Sequence, residues 1–183
     1  GSTSHASDFC YMTSHDKLNV FTSTYSREFY KSRGNFIEIG GMEVARKGDD
    51  AQVQELLRKV GSGKAFGTNA HMITAAEAKE RFPLLEEDTI ECAMWDPDAG
   101  LVTPRSQKVA GDLVDEAVAA GKLQAFAYTP AEEIIVENGR AVGVKTAKGT
   151  IMADHVVLCV GIWGSLVSET ANVKLPLMPV EHP

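Results

Sequence analysis

The sequence predicts an α/β chain in which helices alternate with short strands. Three observations carry this. Apolar residues recur at helical spacing over residues 16–31 and 49–60. Two turn-forming pairs, Gly40-Gly41 and Asn138-Gly139, separate β-rich runs. Residues 155–159 (His-Val-Val-Leu-Cys) form a mostly apolar run closed by Gly161, the pattern of a strand buried on both faces that leads into a helix.

Taken in order, the elements follow from local chemistry. After a short apolar run at residues 8–12, the stripe Leu18, Phe21, Tyr25 and Phe29 predicts a core-facing helix over residues 16–31, stopped by Gly34. Phe36-Ile37-Glu38-Ile39 and Met42-Glu43-Val44-Ala45 read as a hairpin about Gly40-Gly41. Asp49 or Asp50 caps the next helix, which points Val53, Leu56, Leu57 and Val60 inward and ends at Gly61-Ser62-Gly63. Those glycines lack phosphate-loop spacing and follow a helix, so helix exit is the better account. Met72-Ile73 is a strand, and Thr74-Ala75-Ala76-Glu77 a capping box opening a helix that Pro83 halts. Cys92–Trp95 reads as a strand, Asp96-Pro97-Asp98-Ala99-Gly100 as a turn, and residues 104–120 as a helix capped by Thr103. Residues 123–127, 133–137 and 141–146 read as strands, the last two joined by Asn138-Gly139. The final proline-punctuated stretch, residues 174–183, is extended and reads like the entry to a further strand.

The 183 residues, 44% hydrophobic and 23% charged, suit a globular chain of one domain or one and a half. A net charge of −7 argues against a nucleic-acid partner, which wants a basic face. No apolar run approaches the roughly 20 residues of a membrane span. No charged-then-apolar leader is read. Cys10, Cys92 and Cys159 are dispersed and odd in number, and no two histidines sit at i, i+4, so neither a disulfide framework nor a metal site is expected. A reducing, cytoplasmic setting is the default.

The chemistry-bearing stretch is the start, Gly1-Ser2-Thr3-Ser4-His5-Ala6. Small residues and hydroxyls lead directly into an imidazole, so a ligand finds close backbone, several hydrogen bonds and a nitrogen nucleophile together. Alone, such a start is more often a frayed terminus or tag remnant. Phe9 suits the same pocket or plain core. Far downstream stand Cys159-Val160-Gly161-Ile162-Trp163-Gly164 and Pro179-Val180-Glu181-His182. A strand, glycine and helix in that order place backbone N–H groups at the end of a parallel sheet, a geometry suited to a nucleotide; Trp163 fits a core aromatic equally.

In combination and in this order, these segments resemble the flavin-dependent amine oxidoreductases of the dimethylglycine oxidase, dimethylglycine dehydrogenase and sarcosine dehydrogenase family. The turn with Gly100-Leu101-Val102-Thr103-Pro104 resembles it too. The resemblance implies a partial Rossmann-like FAD-binding layer plus part of an antiparallel substrate-domain sheet. The nucleotide side would take about residues 1–19 and 100–164, the substrate side about 35–98 and 174–183. It implies FAD joined covalently to His5, with Ser2, Thr3 and Ser4 hydrogen bonding nearby. The backbone at Ala131 would meet the adenine, Gly161 and Trp163 would belong to the nucleotide crevice, and His182 would take the proton from a small amine substrate. Oxygen or an electron-transfer flavoprotein would accept the electrons, and relatives carry a C-terminal folate-binding module.

The family's Gly-x-Gly-x-x-Gly turn is absent here, so the chain is expected to be an internal fragment that holds FAD poorly alone. Cousins acting on D-amino acids or 2-hydroxy acids, and a non-catalytic remnant, are the alternatives; the Ser-Thr-Ser-His start speaks against the cousins, which hold FAD without that histidine bond. Two departures stand out: Ser7-Asp8 follows where Ala/Pro-Gly is usual, putting a negative charge near the flavin, and Val160 replaces the commoner alanine.

Overall fold

The computed structural model describes residues 2–178. The fold is mixed α/β, as the sequence predicts, and divides into two compact units, Thr3–Asp115 and the residues from Glu116 onward. All six strand pairings among the described residues are antiparallel.

The first unit holds two three-stranded sheets. In one, β6 (Gly100–Val102) lies between β1 (Phe9–Cys10) and β2 (Phe36–Glu38). In the other, β5 (Ile90–Asp96) lies between β3 (Gly41–Arg46) and β4 (His71–Thr74). This second sheet is covered on both faces. Helix α2 (Asp50–Phe66) places Leu56 and Val60 against Ala45, Ala70 and Met94. Helix α3 (Ala75–Arg81) places Ala78 against Ile73 and Ala93, with Trp95 and Leu85 alongside. Full burial of a side chain such as Leu56 contributes about 1.5–3 kcal/mol, so this sandwich is the unit's main source of stability. The capping box of α3 forms as read: Glu77 N–H donates to Thr74 Oγ1 at 3.2 Å, and Thr74 N–H to Glu77 Oε2 at 2.8 Å.

Four expectations in this unit are corrected. The hairpin about Gly40-Gly41 does not form, because β2 pairs with β6 and β3 with β5. Ile39 and Gly40 N–H groups instead donate to Ala99 O, and the chain crosses from one sheet to the next. Gly40 takes φ +72°, and the Trp95 ring fills the space a Cβ would need, so only glycine fits there. Second, α2 runs through Gly61-Ser62-Gly63 and ends at Gly67. Gly63 is there for close approach, since a Cβ on it would stand 2.4 Å from Thr68 Oγ1 and 3.0 Å from Thr13 Cγ2. Third, helix α1 (Lys17–Ser32), N-capped by Asp16, faces the opposite way from its apolar stripe. Leu18, Phe21 and Tyr25 are 68%, 64% and 68% exposed, whereas Val20 is buried. Arg27 decides this orientation: it bonds Glu38 and, at 3.3 Å, Asp98, while Lys31 reaches Glu38 at 3.1 Å. Fourth, α4 (Ser106–Ala119) is not capped by Thr103; its first N–H goes to Asp8.

In the second unit, β7 (Ala131–Glu137), β8 (Arg140–Thr146) and β9 (Gly149–Met152) form a meander. Asn138 and Gly139, at φ 52° and 77°, make its first turn as the sequence predicts. Helix α5 (Gly164–Glu169) packs on β7, and Ile134 N–H donates to Thr170 Oγ1 at 3.0 Å. Residues 123–127 form no strand and are exposed. Residues 155–159, expected as a buried strand, carry no ladder either; Val157 is 79% exposed. A strand needs a neighbour for its N–H and C=O groups, and among the described residues none pairs with this one. No described helix is long and apolar enough to cross a membrane.

Candidate functional site

Ser2–His5 forms a single 3-10 turn, and Thr3, Ser4 and His5, in the first unit, are all exposed. A small-residue run with no apolar anchor has nothing to bury, so the imidazole is held at the surface, within reach of a ligand. Ala6 N–H closes the turn on Thr3 O at 3.3 Å.

The segment then turns sharply at Asp8, which takes φ 63°, a conformation Asp tolerates better than most residues. Asp8 Oδ1 accepts the Ser106 N–H at 2.8 Å and Oδ2 accepts Arg105 Nε–H at 3.2 Å. Its own carbonyl accepts Val102 N–H at 2.7 Å. The bonds from Ser106, followed by the Arg105 charge, hold the Asp8 carboxyl below its ordinary value of 3.8. For a depressed carboxyl the sign is definite: the stability it lends is present above the ordinary value and lost as pH falls through the lower folded one. The negative charge foreseen beside the flavin is therefore partnered by a guanidinium and a helix start.

Phe9 does not stand open. Its ring meets Tyr11 edge-on at 5.1 Å and lies where a Cβ on Gly41 would be, 2.4 Å from Phe9 Cζ. It packs as core within this unit. Below it, Asp96 is fully buried and accepts Met12 N–H and Thr13 N–H on Oδ2 at 3.1 and 2.8 Å. The Tyr11 hydroxyl is buried with no hydrogen-bond partner. Burial, then the charges of Glu43 and Asp96, raise its ionisation well above the ordinary value. Removing an unsatisfied buried hydroxyl relieves its desolvation, so Tyr11→Phe is expected to leave stability unchanged or raise it, by urea titration. A loss of more than about 1 kcal/mol would mean the hydroxyl has a partner.

In the second unit, Ala131 opens β7 opposite Thr146 and is exposed. Gly161 takes φ +55° with open space about its α-carbon, at the start of the 3-10 turn Gly161–Trp163. Trp163 is 53% exposed, so it is not a core aromatic of this unit. Ser165 Oγ–H donates to Leu175 O and Leu177 O at 3.3 and 3.4 Å, laying the following chain back over α5. His182 lies outside the described residues. A cleft of ≈ 440 Å³ on this unit, lined by Arg140, Val142, Met152, Ala153 and Asp154, includes none of the expected site residues.

Sequence reasoning missed Arg105 and the buried role of Asp96. A turn composition flagged Asp96 without signalling its burial, and nothing local distinguishes Arg105 from any surface arginine.

The first unit thus holds a surface imidazole beside exposed hydroxyls, and the second, by itself, a glycine turn with open space about its α-carbon. The family described as FAD dependent oxidoreductase matches residues 7–182, and this chain belongs to it. It is similar to mitochondrial sarcosine dehydrogenase of Homo sapiens, 30% identical over 165 residues, covering 86% of this chain and 17% of that protein. It is 26% identical over 115 residues to mitochondrial dimethylglycine dehydrogenase of Homo sapiens, covering 63% of this chain and 13% of that protein. Among solved structures, L-proline dehydrogenase from P. horikoshii matches at a TM-score of 0.85 and 28% identity, covering 95% of this chain and 46% of that one. The chain thus spans about a sixth of the curated relatives and just under half of the solved structure.

The family's cofactor is FAD, and the residues present suit it. Exposed Thr3, Ser4 and His5 offer hydroxyl and imidazole groups of the kind a flavin can hydrogen bond to.

Proposed function

We propose that this chain is part of an FAD-dependent oxidoreductase that oxidises N-methylated amino acids such as sarcosine or dimethylglycine. The observation that carries the reading is the similarity to sarcosine dehydrogenase across 86% of the chain. The exposed His5 on a hydroxyl-bearing turn supports it.

FAD, when bound, supplies the two-electron acceptor; the protein supplies position and electrostatics. His5 would hold the flavin covalently. That linkage would exchange an imidazole N–H and a C–H of the flavin's 8α-methyl group for a C–N bond, a two-electron oxidation for which dioxygen would serve as acceptor. Thr3 and Ser4, with Ser2, would hydrogen bond beside it. In this reading residues 1–19 and 100–164 serve the nucleotide, with Ala131 at the adenine and Gly161 and Trp163 beside the cofactor. Residues 35–98 and 174–183 serve the substrate. His182 would take the ammonium proton, so that a hydride can leave the carbon next to nitrogen; an imidazole titrating near pH 6.5 is matched to that task. The electrons leave to dioxygen or to an electron-transfer flavoprotein. Free thiols at Cys10, Cys92 and Cys159 fit a reducing compartment such as the cytoplasm.

The test uses the full-length protein. Sarcosine or dimethylglycine should reduce its flavin anaerobically, and acid-precipitated protein should stay yellow. His5→Ala should release the colour into the supernatant. Reduction by D-amino acids or 2-hydroxy acids alone would overturn the substrate assignment, and yellow His5→Ala pellets would overturn the linkage.

A further inference from the structure

We propose that Asp8 is a positioning residue for His5, its carboxylate fastening the His5 turn to the start of α4. The inference rests on the reading of His5 as the flavin-bearing residue. Three observations converge. Asp8 stands three residues after His5, at the point where the backbone enters the left-handed region. Its side chain is only 15% exposed and makes two bonds to one place, the Arg105 Nε–H and the Ser106 N–H. Its carbonyl is bonded to Val102 N–H, on the strand immediately before that place. One residue therefore ties the turn to both β6 and α4.

The tie serves the helix as well. The first N–H groups of a helix have no partner within it, and α4 receives its cap from a residue 98 positions away. A capping carboxylate is also favoured electrostatically at that end. The His5 turn and the start of α4 are thereby one mechanical piece, and strain on either is felt by the other. An aspartate in the left-handed region costs more than a glycine would. The two hydrogen bonds, which glycine lacks, are what Asp8 gains in return.

Bond formation at His5 demands that its nitrogen be held against one carbon atom, and a misplacement of about 1 Å in such a step costs about 100-fold in rate. A turn of small exposed residues does not supply that precision alone.

The experiment compares Asp8→Ala, Asp8→Gly and Asp8→Asn with the natural protein, full-length, reconstituted from apoprotein with FAD. The first readout is the rate at which flavin becomes acid-precipitable. The second, made without FAD, is hydrogen exchange at the Ser106 amide. Asp8→Ala should slow attachment about 10- to 100-fold and speed exchange at Ser106. Asp8→Gly, with ample backbone freedom, should be slowed as well, which separates the carboxylate from the conformation. Asp8→Asn keeps an acceptor for Ser106 and should recover much of the rate. Glu77→Ala, which breaks the α3 capping box elsewhere, should attach flavin normally. Equal slowing in Glu77→Ala would reduce the effect to lost stability and overturn the proposal. So would natural attachment rates in Asp8→Ala and Asp8→Gly despite faster Ser106 exchange. If the natural protein gains no acid-stable flavin, or gains it at another residue, the reading of His5 is what fails, and the role of Asp8 falls with it.

Discussion

Asp96→Ala is expected to lower the stability of the first unit by about 4 kcal/mol, more than any other polar substitution in it. The carboxylate is fully buried, and one oxygen serves Met12 N–H and Thr13 N–H while the other accepts Asp98 N–H at 3.3 Å. Alanine leaves two buried backbone donors without acceptors, each of which costs about 1–3 kcal/mol. Asp96→Asn should cost roughly half as much. Its carbonyl oxygen can replace Oδ2, but its amide then meets the Asp98 N–H donor to donor. Urea titration followed by tryptophan fluorescence measures both, since Trp95 is the adjoining residue. An Asp96→Ala cost under about 1 kcal/mol would show that water replaces the carboxylate and that the segment after His5 is held by something else.

Gly100→Ala should be nearly as damaging, for a steric reason. A Cβ there would lie 2.2 Å from Ile37 O and 2.8 Å from the Phe36 ring. The oxygen belongs to the backbone of β2, paired in register with β6, so it has no rotamer by which to yield. The cost is about 3 kcal/mol, and because Cys10 pairs with Gly100 from the other side, β1 shifts too. The same substitution at Gly111, in α4 with nothing within 4 Å, should raise stability by about 0.5–1 kcal/mol. Melting curves for the pair give the comparison: opposite signs support the steric account, and a tolerated Gly100→Ala removes it.

How much of this was legible beforehand depended on range. The α3 capping box and the Asn138-Gly139 turn are decided within four residues and form as read, and of the two caps offered for α2, Asp49 or Asp50, the structure uses Asp49. Pairing was not legible where it is decided far away. Gly40-Gly41 looks like a hairpin turn locally, yet Ala99 O takes the N–H groups of Ile39 and Gly40. Residues 155–159 have the composition of a buried strand, but composition cannot say what will lie alongside. The candidate site divides in the same way. His5 and Gly161 are proposed from motif order, whereas Arg105 and Asp96 act through partners 97 and 84 positions away.

Helix α1 carries a consequence for how the protein responds to temperature. Apart from the buried Val20, its attachment runs through Arg27, Lys31, Glu38 and Asp98, and it leaves Leu18, Phe21 and Tyr25 in water. Exposure of apolar surface is what raises the heat capacity on unfolding, while exposure of polar surface lowers it. Detaching α1 therefore changes the heat capacity little, and the curvature of the stability curve belongs to the sheet between α2 and α3. On cooling, where apolar association weakens, the helix held by charges keeps its grip while the better-buried sandwich loosens.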